Sequence, residues 1–193
     1  MVGYRYTQPW FLRSELRRLA DKFIDPTAKN TILEVGCFEG LSSVFFSDLL
    51  LDHPGSSLVC VDPFLAVANN DHAAYLQEGG AEARFDFNIA ASKNSRKVEI
   101  HKTTSDSFFA LLDPARTFSF IYVDGCHECD FIQRDLENSF RHLERGGIMW
   151  MDDYLGGGDG AKIKPTVDAF VNSHKDECSV IHQGYQLAVK KAM

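Results

Sequence analysis

The chain has 193 residues, and 20 Lys and Arg against 27 Asp and Glu give it a formal charge of −7. That length suits one globular domain, and 45% hydrophobic with 24% charged residues describes a packed core rather than a disordered chain. The acidic balance lacks the cationic excess that a phosphate backbone attracts, so nucleic acid is not an expected partner. The apolar stretch around Val44 to Leu51 is broken by Ser and Asp, well short of the ~20 residues that cross a bilayer. The opening MVGYRYTQPW has no basic region followed by an apolar run, so a cytoplasmic protein with no membrane partner is expected. Five scattered cysteines, Cys37, Cys60, Cys126, Cys129 and Cys178, lack the density of a disulfide framework. Cys126 and Cys129 form a lone CxxC, which without a second pair is weak evidence for zinc or redox chemistry.

Between Trp10 and Phe23 apolar residues recur at three and four, which predicts one amphipathic helix. TILEV (31–35) reads as a strand, the turn Gly36 to Gly40 follows, and LSSVFFSDLLL reads as a helix. SLVCV (57–61) is a second strand, ended at Asp62-Pro63 because proline cannot donate to a ladder. Residues 64–80 fit no clean template and read as a loop with a short helix. A helix over 81–91, a strand over 98–104 and a helix over 107–112 come next. TFSFIYVD is then a strand, CDFIQRDLENSFRHL a helix stopped by Gly146-Gly147, and GIMWMDDY a buried strand. GGGDG (156–160) lacks the Lys-Ser/Thr of a phosphate loop and reads as a mobile segment. A helix from Pro165 to Lys175 and the strands CSVIHQ and YQLAVKK close the chain, with a hairpin at Gly184-Tyr185.

Alternating strands and helices predict a mostly parallel sheet covered on both faces, which binds ligands beyond the carboxyl ends of its strands. Those ends carry the Gly36 to Gly40 turn, Asp62, Ser105 with Asp106, Asp124, and Asp152 with Asp153. The glycines allow close approach to a ligand, and the following helix start offers amide donors. Asp62 lies 22 residues beyond Gly40, about where a carboxylate accepts both hydroxyls of a ribose. The turn is not GxGxxG: Phe38 and Glu39 stand where a pyrophosphate needs room and no negative charge, which disfavours a nicotinamide dehydrogenase. Asp124 and Asp152 end predicted strands and Asp153 is adjacent, so three carboxylates without a Lys or Arg between them converge. Their repulsion calls for a hard divalent cation, Mg²⁺ or Ca²⁺, although any one of them alone could simply cap a strand or helix.

TILEVGCFEGLSSVFF and VCVDPF resemble the first two motifs of class I S-adenosylmethionine-dependent methyltransferases. DGCHECDFIQRDLENSFRHLERGGIMWMDDY is similar to metal-dependent O-methyltransferases, of the catechol type and especially the macrocin type that methylates sugar hydroxyls. The resemblance runs from about residue 30 to 155. It implies a Rossmann-like α/β fold with a mostly parallel seven-stranded sheet, an antiparallel C-terminal hairpin and helices on both faces. The chain would be one methyltransferase domain, with residues 1–29 as an N-terminal helix region and 30–193 as the cofactor-binding and catalytic core. It implies an S-adenosyl-L-methionine site of Glu34, Gly36, Phe38, Gly40, Ser42, Asp62, Pro63, Phe64, Ser105 and Asp106. Ser42 would lie near the methionine end, and Ser105 with Asp106 near the adenine.

By the same resemblance Asp124, Asp152 and Asp153 hold Mg²⁺ or another divalent cation, and His127, with Asp124, is catalytic. His127 stands where catechol-type enzymes carry a lysine and macrocin-type ones a histidine; a neutral imidazole is a competent proton acceptor near pH 7. The implied activity is O-methylation of a sugar or glycan hydroxyl, with a sugar diol as acceptor and homo-oligomerisation left open. Methylation of a catechol or phenol, and a non-catalytic cofactor-binding module of a larger glycan-building protein, are the alternatives. The other histidines, at 53, 72, 101, 142, 174 and 182, are expected to be surface or packing residues. Tyr4, Tyr6, Trp10, Phe38, Phe64 and Tyr154 are candidate pocket walls.

Overall fold

The computed structural model describes residues 3–65, 80–156 and 160–193. The expected loop and short helix over 64–80 lie almost wholly outside these residues, as does most of the GGGDG segment. Seven strands, β1 (Thr31–Val35), β2 (Ser57–Val61), β3 (Val98–His101), β4 (Phe118–Val123), β5 (Leu143–Met151), β6 (Cys178–Gln183) and β7 (Leu187–Lys191), form one sheet in the order β3-β2-β1-β4-β5-β7-β6. The first five pair in parallel and β7 runs antiparallel to both β5 and β6. The helices are α1 (Glu15–Phe23), α2 (Leu41–Leu50), α3 (Gly80–Ala91), α4 (Ser105–Leu111), α5 (Cys129–Arg141) and α6 (Gly160–Ser173). This is the seven-stranded, mostly parallel Rossmann-like sheet with an antiparallel C-terminal pair.

The period-2 alternation of each strand divides the core. Leu33, Val35, Ile121, Val123, Met149 and Met151 pack with Phe108, Phe140 and Phe170 on one face. Ile32, Leu58, Cys60, Phe120, Tyr122 and Trp150 pack with Leu16, Phe46 and Phe85 on the other. No helix of the described residues is long and apolar enough to cross a membrane.

Four local expectations are corrected. Residues 10–23 are not one helix: a 3-10 turn, Trp10–Arg13, ends at Ser14, whose extended backbone (ψ 148°) and side chain, accepting from the Arg17 amide, cap α1. The strand expected over 98–104 stops at His101, and Thr104 instead caps α4, accepting from Ser107 N. Gly146-Gly147 does not stop α5, which already ends at Arg141. The pair lies within β5, where Gly146 at φ 74° permits the register shift against β4 between Phe118 and Phe120. Pro165 does not open its helix, because α6 begins five residues earlier at Gly160.

Two features of β1 control what lies above it. Gly36 has φ 87°, and a Cβ placed there would meet the Asp124 carbonyl oxygen at 1.9 Å. Glu34 is fully buried and takes hydroxyl donors from Ser42 and Ser43 at the start of α2. Burial pushes its carboxyl up to about 7 despite these bonds.

Two outcomes follow. Gly36→Ala should lower stability by about 2 to 4 kcal/mol or prevent folding, while Gly3→Ala, which meets nothing among the described residues within 4 Å, should change it by less than about 0.5 kcal/mol. Urea titration of the two variants separates a steric requirement at Gly36 from a generic glycine effect. Because folding raises the Glu34 pKa, the folded state binds its proton more tightly than the unfolded chain does. The stability that this gives is complete below about pH 4.5 and is lost as pH rises through about 7. Glu34→Gln should flatten that part of the stability profile, by up to the order of 3 kcal/mol; an unchanged slope would show that Glu34 is not the titrating group.

Candidate active site

The strand ends meet along one edge because the parallel ladder continues one residue past each strand. Gly36 N donates to Val61 O at 2.9 Å, Asp124 N to Val35 O at 2.8 Å and Asp152 N to Val123 O at 3.0 Å. Asp62, Gly36, Asp124 and Asp152 therefore stand side by side, and a cavity of about 690 Å³ opens above them. That volume is within the usual range for a small-molecule or cofactor site.

At one end Asp62 organises the glycine turn. Its carboxylate accepts from the backbone amides of Cys37 at 2.7 Å, Phe38 at 2.9 Å and Phe64 at 2.7 Å. Phe38 and Phe64 both hold positive φ, 47° and 50°, and these three bonds offset that strain. Burial raises the Asp62 pKa while the amides oppose the rise. Glu39, whose charge argued against a pyrophosphate, is buried and accepts from Thr7 and Arg84, tying the N-terminal segment to the turn.

At the other end one ligand atom each of Asp124, His127 and Asp153 lie within 4.8 Å of one another. His127 Nε2 is 3.2 Å from Asp153 Oδ2. Asp153 sits at φ 53°, its amide donating to Asp152 Oδ1 at 2.7 Å and its carboxylate accepting from the Tyr185 hydroxyl. Asp152 faces the cavity too, yet its other oxygen is engaged by the Tyr122 hydroxyl. Burial, then the charges of Asp152 and Asp153, raise the Asp124 pKa well above the usual carboxylate range; burial and Asp153 raise that of Asp152. A cation placed here would relieve all three carboxylates at once, and oxygen donors of this kind suit a hard divalent ion.

The remaining expected residues divide. Gly36, Phe38, Ser42, Asp62, Pro63 and Ser105 line the cavity together with the acidic group and His127. Glu34 and Gly40 lie behind it: Glu34 supports α2 from the core, and Gly40 caps that helix against the Phe85 ring. Phe64 packs on Phe85 with ring centroids 5.1 Å apart, and Asp106 is drawn away into an exposed pair with Arg134 at 3.0 Å. Of the six aromatic residues considered as walls, Trp10 and Phe38 line the cavity, stacked 5.2 Å apart.

Sequence reasoning missed Asp135, Tyr122, Gln186 and Tyr185. Asp135 lines the cavity, and its carboxyl is pushed up to about 6 by burial, opposed by a Ser105 hydrogen bond. Its position between Ile132 and Leu136 on the buried stripe of α5 was a legible signal, a charged residue where helical period demands an apolar one. Gln186 is fully buried, accepts from Leu16 N at 2.8 Å and Trp150 Nε1 at 2.9 Å, and reaches the Tyr122 hydroxyl. No sequence pattern announces that linkage.

Residues 33–154, more than half of the chain, match the family model for a methyltransferase domain. No curated protein matches the sequence. Among solved structures, a Clostridium thermocellum protein assigned as an rRNA-methylase superposes with a TM-score of 0.68 at 16% identity, covering 92% of this chain and 93% of the other. The O-methyltransferase TomG of Streptomyces achromogenes, from tomaymycin synthesis and in complex with S-adenosylmethionine, gives 0.66 at 18% identity over 92% and 78%. A Bacillus cereus O-methyltransferase bound to S-adenosylhomocysteine gives 0.65 at 14% identity over 100% and 84%. At such identities these likenesses establish the fold. With the family match across the glycine turn and the acidic strand ends, they show that the chain belongs to the methyltransferase-domain family, on the Rossmann-like fold of class I methyltransferases.

Proposed function

We propose that the protein is an S-adenosylmethionine-dependent O-methyltransferase that uses a divalent cation and acts on a hydroxyl of a sugar or glycan. The observation that carries this is the placement, on one cavity wall, of the Asp62-braced glycine turn and of the Asp124, His127 and Asp153 group. Two structural neighbours are O-methyltransferases holding S-adenosylmethionine or its demethylated product, which supports the cofactor.

Asp62 accepts the ribose hydroxyls, the amides and Ser42 at the start of α2 face the methionine end, and Ser105 with Asp135 faces the base. Asp124 and Asp153 are the carboxylates that would hold Mg²⁺, with Asp152 behind them fixing the Asp153 amide and taking a proton donor from Tyr122. When bound, such a cation supplies positive charge that makes a coordinated hydroxyl more acidic. His127 then takes the acceptor's proton, with Asp153 at 3.2 Å steadying the imidazolium that forms. S-adenosylmethionine, held by the glycine turn and Asp62, would supply an electrophilic methyl group to the deprotonated hydroxyl, its sulfonium leaving as a neutral thioether. Holding both partners in one cavity supplies much of the acceleration. The stacked Trp10 and Phe38 also suit a flat phenol, and this keeps catechol-type methylation as the second reading.

Asp62→Ala should weaken S-adenosylmethionine binding by about 1.5 to 3 kcal/mol, the cost of losing charge-assisted hydrogen bonds. Calorimetry checks this, and a wild-type protein that binds NAD instead of S-adenosylmethionine would overturn the proposal. Turnover should vanish in EDTA and return with Mg²⁺, and His127→Ala should leave cofactor affinity intact while lowering kcat by about 10²- to 10⁴-fold. Full activity in EDTA would remove the cation from the reaction. An equal, small effect of His127→Ala on sugar and phenol acceptors would remove the base.

A further inference from the structure

Among the described residues the cavity wall carries one cationic side chain of Lys or Arg, which methyl transfer leaves unused. Arg13 closes the Trp10–Arg13 turn and is the one Lys or Arg among the described residues lining the cavity. Arg84, Arg116 and Arg134 each rest on a carboxylate, whereas the Arg13 guanidinium makes no ion pair or hydrogen bond among the described residues. Its backbone is nevertheless held firmly. Phe11 on one side is buried in the core, and Ser14 on the other is buried as the cap of α1. A fixed backbone with an uncommitted cation at a cavity mouth is what recognition of an anion requires.

The position of Arg13 indicates which anion. Glu15, two residues on, accepts from Gln186 N at 2.9 Å and lies 2.9 Å from His182 Nε2, so this stretch is tied to the β6–β7 turn. That turn carries Tyr185, which donates to Asp153. Arg13 thus lines the cavity from a segment tied to the acceptor side through Glu15 and to the glycine turn through Trp10 on Phe38. The acids lining the cavity are Glu39, Asp62, Asp124, Asp135, Asp152 and Asp153, so among the described residues an anionic acceptor finds one favourable place for its charge, at Arg13.

We propose that the acceptor's ring bears an anionic substituent, a carboxylate or phosphate, and that Arg13 is the specificity-determining residue that binds it. This rests on the methyltransferase reading only for the identity of the cavity. An anion anchored at Arg13 turns the far hydroxyl of the ring toward His127 and the carboxylates.

The test measures binding first and turnover second. Protein saturated with S-adenosylhomocysteine is titrated with glucuronate, glucose 6-phosphate and glucose, and with 3,4-dihydroxybenzoate and its methyl ester. An anionic member of a set should bind about tenfold or more tightly than its neutral match, and Arg13→Gln should abolish that preference, as expected for a guanidinium–anion pair. In turnover the loss should fall on KM rather than kcat, and Arg13→Lys should restore part of the affinity for the phosphate. Equal affinities within every set overturn the proposal. So does weakened S-adenosylmethionine binding in Arg13→Gln with the acceptor preference intact, which would assign Arg13 to the cofactor's carboxylate. Arg13-dependent anion binding without any methyl transfer upholds this proposal and overturns the activity proposed above; methyl transfer to neutral acceptors alone does the reverse.

Discussion

The functional edge depends on one close approach, that of the Gly36 Cα to the Asp124 carbonyl. No side chain fits between them, since even a Cβ would lie 1.9 Å from that oxygen. This contact lets the ladder run one residue beyond β1 and β4, which sets Asp124 beside the glycine turn and brings Asp62 and Asp152 into line on either side. The cavity is lined by these extended strand ends together with the starts of α2 and α5 and the Trp10–Arg13 turn.

Placing so many carboxylates at low dielectric is costly, and the fold offsets the cost differently for each. Asp62 is met by three backbone amides, Glu34 by two serine hydroxyls, and Asp152 by a tyrosine hydroxyl and the next amide. Asp124 has no such donor among the described residues, and burial and the neighbouring carboxylates all raise its pKa. The acid left with the largest unrelieved cost is thus the one that faces both Asp153 and His127, and a bound cation is the natural relief. Positive φ at Phe38, Phe64 and Asp153 collects at the same edge. Strain of this kind persists where surrounding hydrogen bonds over-determine the backbone, and here the Asp62 and Asp152 carboxylates provide them.

The N-terminal segment belongs to the site as much as the strand ends do. Thr7 is fastened to Glu39 in the glycine turn, Trp10 to Phe38, and Leu16 through Gln186 and Tyr122 to Asp152. A displacement of residues 7–16 would therefore reach both ends of the cavity, through the glycine turn and through the carboxylates opposite.

The sequence by itself determined the sheet, most of its helices and the edge on which chemistry gathers. TILEV, SLVCV and FSFIYV alternate with helical stretches, and strand-ending acids in a parallel sheet must converge. It also carried the glycine turn and Asp62, because both are local signals within a few residues of a strand. Tertiary structure decided what depends on distant partners. Ser14 broke the expected first helix because its side chain could cap α1, and Gly146 entered β5 because the register with β4 required a bend. Asp106 left the cavity for Arg134, 28 residues away, and Asp135 took its place, a choice set by how α4 and α5 pack. His127, not Asp152, joined Asp124 and Asp153 in the tightest grouping, since Tyr122 and the Asp153 amide engage Asp152. Periodicity and turn chemistry are written in neighbouring residues. Which carboxylate receives which donor is settled only when strands far apart in sequence lie side by side.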